Sequence, residues 1–211
     1  MAKLSSLSPL NGYQESIGSI SLREINDYSL VSLAIPQDTT KTFAKIIKDE
    51  FGVGMPTSVM SKTNKKMRLL MTQPDQIFSI IPQVDDPEKD LSKIIGNAAY
   101  ITDQTDAWVI LEISGVTSRT ALERICQVDL DPNIFKLNAM ARTTMEHMAT
   151  IIIRTDVDTF LLMSASSSAK SFLHAVKLSA QHISYYINLI ALLIYKKRRL
   201  YFISPFYVFK I

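Results

Sequence analysis

Chemistry-bearing residues are scarce in this 211-residue sequence: it has one cysteine, Cys126, and three histidines, His147, His174 and His182. A lone cysteine excludes an internal disulfide. The histidines form no HxH or HExxH pattern and no cluster with the cysteine, so a zinc site of three or four ligands is not expected. Neither GxGxxG nor GxxxxGKS/T occurs, which excludes the recognisable devices for a dinucleotide or a nucleoside triphosphate. The first residues, MAKLSSLSPLNGYQES, lack the apolar core of a signal peptide, so the cytoplasm is the default compartment. Net charge is only +3, and Lys196, Lys197, Arg198 and Arg199 supply more than that excess. The remainder is slightly acidic, and no nucleic-acid surface is expected.

The apolar pattern supplies the fold. Residues 1–18, rich in Ser, Gly and Asn, read as an extended arm. ISLREI and YSLVSLA then alternate apolar and polar residues, predicting an antiparallel pair joined by an Asn26-Asp27 turn. Helical spacing of Phe43, Ile46, Ile47 and Phe51 predicts a helix over 40–51, capped from Asp38 or Thr39 and ended by Gly52 and Gly54. KMRLLMT and QIFSII read as strands around Gln73-Pro74-Asp75, and Pro87 opens a helix over 87–97.

The second half repeats this order: a strand at 108–113, a helix at 117–125 capped from Thr117 or Ser118, a strand at 146–154, its hairpin partner at 159–164 and a helix at 167–181. Aligning Leu30 with Val109 superposes the elements at an offset of about 79 residues. The expectation is an α+β, two-layer domain of duplicated β-α-β-β-α units. It spans 19–182, with pseudo-repeats at about 19–98 and 99–182.

Few side chains suggest chemistry. Cys126 has only Arg124 beside it to lower its pKa and lies at a helix end, so a buried thiol is expected. Ser166, Ser167 and Ser168 precede the last helix, where N-capping is favoured over anion binding. Asp103 and Asp106 read as turn residues. His147 and His174 read as structural or subunit-contact groups. Arg119, Arg124, Arg142 and Arg154 are candidates for ion pairs to another subunit, beside an ordinary solvated role. Catalytic, cofactor-binding and metal-binding residues are not expected in this chain.

Four segments carry a family resemblance: ITDQTDAWVILEISG at 101–115, ALERICQVDLDPNIF at 121–135, ARTTMEHMATIIIR at 141–154 and DTFLLMSASSSAKSFLHAVKLSA at 158–180, with SPLNG at 8–12. By these the chain resembles the gamma subunit of heterotetrameric sarcosine oxidase, whose fold is similar to the folate-binding domain of aminomethyltransferases. The resemblance implies an αβγδ complex that oxidatively demethylates sarcosine to glycine, releasing hydrogen peroxide and formaldehyde or 5,10-methylenetetrahydrofolate. It implies FAD, FMN, NAD, tetrahydrofolate and zinc in the alpha, beta and delta partners, with alpha the main contact, and no cofactor in this chain. The corresponding subunit of N-methylglutamate dehydrogenase and a stand-alone folate-dependent aminomethyltransferase-like protein are the alternatives. The acidic residue with which aminomethyltransferases engage folate has no counterpart here.

The resemblance ends near His182, leaving residues 183–211 as an apolar, basic C-terminal extension without an acidic residue. Its run from Tyr185 to Tyr195 has 11 residues, short of the roughly 20 that span a bilayer. Two readings stand: an interfacial anchor facing anionic lipid, or, favoured, a non-family extension such as out-of-frame sequence. The expectations are poor packing of its apolar groups on the domain and no membrane partner.

Overall fold

The computed structural model describes residues 8–202, with side chains described through residue 195. In chain order the elements are β1 (Gln14–Ile17), β2 (Ile20–Ile25), β3 (Tyr28–Ala34), α1 (Thr40–Phe51), β4 (Lys62–Thr63), β5 (Arg68–Gln73), β6 (Gln76–Pro82), α2 (Pro87–Ile95), β7 (Tyr100–Asp103), β8 (Trp108–Ser114), α3 (Ser118–Glu123), β9 (Met140–Met145), β10 (Met148–Asp156), β11 (Thr159–Ala165) and α4 (Ala169–Phe202). They make an α+β fold with two antiparallel sheets, ordered β1-β2-β8-β11-β10-β9 and β4-β5-β6-β3-β7.

Burial corrects the two-layer expectation. Val31, Leu33, Leu69 and Ile77 pack with Phe43 and Ile47 of α1 and Leu91 and Ile95 of α2. On the other sheet, Leu111, Ile113, Ile152 and Leu162 pack with Leu122 of α3 and Phe172 and Val176 of α4. The remaining faces meet each other through Leu30, Leu70 and Phe78 from one sheet and Ile110, Ile151, Ile153 and Met163 from the other. The layers therefore run helix, sheet, sheet, helix. Because alternate residues of a strand face opposite ways, a strand buried on both faces carries an unbroken apolar run. Ile151-Ile152-Ile153 is such a run.

The predicted hairpin of β2 and β3 does not form. β2 pairs with β1 and β8, whereas β3 pairs with β6 and β7 in the other sheet. Tyr28 to Leu33 are all buried, which places β3 inside a sheet with a layer on each side. Asn26-Asp27 thus carries the chain from one sheet to the other. Residues 14–17, expected within an extended arm, form the edge strand β1. Strand β9 was not foreseen; it joins β10 through Glu146-His147, so His147 lies in a tight turn rather than at a strand start.

Helix ends follow local chemistry. α1 closes at Gly52, whose N–H donates to the Lys48 carbonyl at 3.0 Å, and Asp86 caps α2 by accepting from the Lys89 N–H at 3.0 Å. Thr39, an expected cap of α1, instead donates its hydroxyl to the Pro36 and Ala98 carbonyls, and Gln37–Thr39 form a 3-10 turn. Thr117 precedes α3 without a side-chain cap. Ser166–Ser168 also form a 3-10 turn, with the Ser168 hydroxyl donating to the Ala165 carbonyl. α4 does not stop at residue 181 or 182 but continues as one helix to Phe202.

Candidate functional site

The second sheet and its helices bring together residues far apart in sequence. α4 runs over the outer face, held to α3 by the buried Ser179 hydroxyl, which donates to the Ala121 carbonyl at 2.6 Å. Beside it, the β9–β10 hairpin projects Glu146 and His147. Between them lies a groove of about 430 Å3, lined by Arg124, Ile125, Glu146, Met148, His174, Leu178 and His182 among others. A neighbouring depression shares Arg124, Ile125 and Glu146 and adds Cys126, Gln127 and His147. All three histidines therefore border one contiguous surface. His174 and His182 lie eight residues apart on one helix, which puts them on the same face.

Geometry fixes part of the chemistry. Arg124 Nη2 lies 3.1 Å from His182 Nδ1. A guanidinium only donates, so Nδ1 is the acceptor in this contact. Glu146 and His147 have φ of 45° and 68°, left-handed at both turn positions and unusual for residues with side chains. The Cys126 thiol is buried, and burial pushes its pKa up more than the Val128 backbone contact lowers it, the opposite direction to the one that activates a thiol. Among the described residues no three His, Cys, Asp or Glu side chains gather as a metal site needs. Cationic and imidazole donors over an apolar floor are suited to recognising a partner's side chain.

The other candidates lie elsewhere. Arg119 sits 3.5 Å from Glu123 on α3. Arg142 donates to the Thr72 carbonyl at 2.8 Å, tying β9 to the opposite sheet. Arg154, read as an interface candidate, is buried instead: it donates to the carbonyls of Phe135, Asp156 and Val157, bracing the loop before β9. Asp103 accepts from the Thr105 N–H and hydroxyl, as a turn residue does.

Sequence reasoning passed over Glu24. This carboxylate is buried, and it accepts from the Ser8 hydroxyl at 2.9 Å and from the N–H groups of Leu10 and Gly12 at 3.1 and 2.7 Å. One carboxylate thus folds the SPLNG segment into a loop, because converging backbone N–H groups favour an anion. The polar residue of an alternating strand gave no sign of this partner.

No protein-family model matches this chain. In sequence it is 24% identical over 161 residues to "Sarcosine oxidase subunit gamma" of Corynebacterium sp. (strain P-1), covering 74% of this chain and 78% of that protein. In structure it is similar to a chain of heterotetrameric sarcosine oxidase from Corynebacterium sp. U-96, solved in complex with pyrrole 2-carboxylate. That match has a TM-score of 0.73 at 17% identity and covers 85% of this chain and 96% of the other. It is also similar to the glycine cleavage system aminomethyltransferase T from Bartonella henselae, with a TM-score of 0.55 at 11% identity, over 78% of this chain and 50% of that one. The resemblance read from the sequence thus holds in two separate comparisons, and the α+β fold is shared with both solved proteins.

Proposed function

We propose that this chain is the gamma-type structural subunit of a heterotetrameric, flavin-dependent sarcosine oxidase. The observation that carries the reading is the pairing of the two likenesses: sequence similarity to a gamma subunit, and a fold that follows 96% of the length of a chain from such a complex. In the reaction, sarcosine loses two electrons from its N-methyl group to flavin, and water or tetrahydrofolate takes the methyl carbon. Flavin in the partner subunits would supply the electron acceptor, and hydrogen peroxide is the reduced product of oxygen. The flavins, NAD, folate and zinc belong to the alpha, beta and delta partners. This chain buries surface against them, chiefly alpha, over the 2,000 Å2 or so that permanent interfaces bury.

The named side chains support a structural role. Arg142 and Arg154 are engaged on backbone carbonyls, and burial pushes the pKa of the Cys126 thiol up. Arg119, Arg124, His147 and His174 remain the residues assigned to subunit contacts. The reading includes an internal duplication: β3-β6-β5 and β8-β11-β10 repeat one pairing order. Expression of the partner subunits with and without this chain tests the role. The expected result is loss of assembled complex, and of sarcosine-dependent peroxide release, without it. The isolated chain should show no saturable binding of tetrahydrofolate; micromolar binding would make it a folate protein in its own right.

A further inference from the structure

Arginines in this chain are held by oxygen atoms. Arg23 and Arg119 pair with Glu112 and Glu123, Arg68 bonds Ser61 and Asn138, and Arg142 and Arg154 bond backbone carbonyls. Among the described residues Arg124 is the exception. Its guanidinium makes no ion pair, and its one hydrogen bond goes to His182 Nδ1. That contact holds Nη2 and leaves the other N–H groups of a planar fork whose geometry matches a carboxylate. Glu146 borders the same groove and does not pair with Arg124.

The turn that carries Glu146 is a second, independent sign. Met145 pairs with Met148, so Glu146-His147 is a two-residue loop with both residues left-handed, at φ of 45° and 68°. Asn-Gly meets that conformation with little strain, whereas Glu and His resist it. A turn sequence that opposes its own backbone beside a groove indicates that its side chains are used. The groove also has the anatomy of an interface rather than of a small-molecule pocket, whose polar groups converge inside. Ile125 and Met148 are half-buried on its floor and Leu178 is exposed beside them, while Arg124, Glu146, His174 and His182 stand exposed around them.

We infer that this groove docks an acidic segment of a partner subunit, with one carboxylate bound by Arg124 and the neighbouring apolar side chains seated on Ile125, Met148 and Leu178. The inference rests on the subunit reading above and adds the partner's chemistry. Glu146 sharpens the fit, because a carboxylate placed against it is repelled and a hydrogen-bond donor is accepted.

The test is capture of the co-expressed partner subunits by the full chain. Arg124→Glu is expected to lower capture about tenfold, and wild-type capture should weaken with salt. Lys89→Glu, on α2 against the other sheet, should leave capture unchanged. Glu146→Asn combined with His147→Gly should raise the thermal midpoint of the isolated chain by about 2–4 °C yet reduce capture, which separates a contact role from a folding role. Labelling of His147 and His174 by diethyl pyrocarbonate should fall in the assembled complex. Wild-type capture by Arg124→Glu or by the turn variant, unchanged histidine labelling, or an equal loss with Lys89→Glu would overturn the docking site and leave the oxidase reading standing. A dimer of this chain alone that Arg124→Glu breaks would give the groove to a second copy and overturn the proposal. Capture of no partner subunit by the wild-type chain would overturn the oxidase reading and the docked segment with it.

Discussion

α4 joins two regions that obey different rules. From Ala169 to Ile183 its apolar residues recur on one face, and Phe172, Val176 and Ala180 are buried against the sheet. From Tyr185 to Tyr195 that period is lost and the side chains are exposed. One continuous backbone helix therefore carries a folded-domain sequence and then one that nothing in the domain covers. Helicity is a local property, whereas packing needs a matching face elsewhere.

The sharpest way to break this contrast is to truncate equally on both sides of it. Phe172→Ala should lower unfolding free energy by about 3–5 kcal/mol in denaturant titration, whereas Leu193→Ala should stay within about 0.5 kcal/mol. Equal effects would mean that the distal segment packs on the domain. Where the end of β8 meets the turn between β1 and β2, Gly115→Ala should cost about 3 kcal/mol. Its φ is +119°, and a Cβ there would meet the Ser19 carbonyl oxygen at 1.9 Å. Glu24→Gln keeps the shape but weakens three charge-assisted bonds, for a loss of about 1.5–3 kcal/mol and faster amide exchange at Leu10 and Gly12.

Smaller effects refine the boundary. Ser79 Oγ is buried in β6 without a hydrogen-bond partner, so Ser79→Ala should be neutral or stabilise by about 1 kcal/mol. The ion pair of Lys177 with Glu15, at 2.6 Å, ties α4 to β1. The bonds from Lys177 and Tyr13 lower the Glu15 pKa, so its contribution is present above the ordinary glutamate range and is lost as pH falls through the lowered value. The Glu15 bond raises the Lys177 pKa, so that contribution holds at neutral pH and is lost only as pH rises through the raised value. Comparing thermal midpoints of wild type and Glu15→Gln across acid pH should show the gap closing on acidification.

Much of the fold was legible because its cause is local. α1 occupies the predicted 40–51 through Phe43 and Ile47, and Trp108–Ser114 and Thr159–Ala165 follow their apolar alternation. What escaped depends on distant partners. ISLREI and YSLVSLA look like a hairpin, and only β8 and β6 decide that they separate. The turn at Glu146-His147 lacks the Asn-Gly chemistry that marks such hairpins, so β9 was overlooked. The candidate groove was hidden for the same reason: Arg124, Glu146 and His182 meet only once α3, the hairpin and α4 have assembled.

The most direct test of the central claim is affinity purification of this chain co-expressed with its neighbouring genes, recording subunit masses and the visible spectrum of the eluate. The account predicts a yellow complex with three further subunits that oxidises sarcosine, its flavin remaining with the partners when this chain is stripped away. A colourless eluate containing this chain alone, saturably binding tetrahydrofolate, would contradict it.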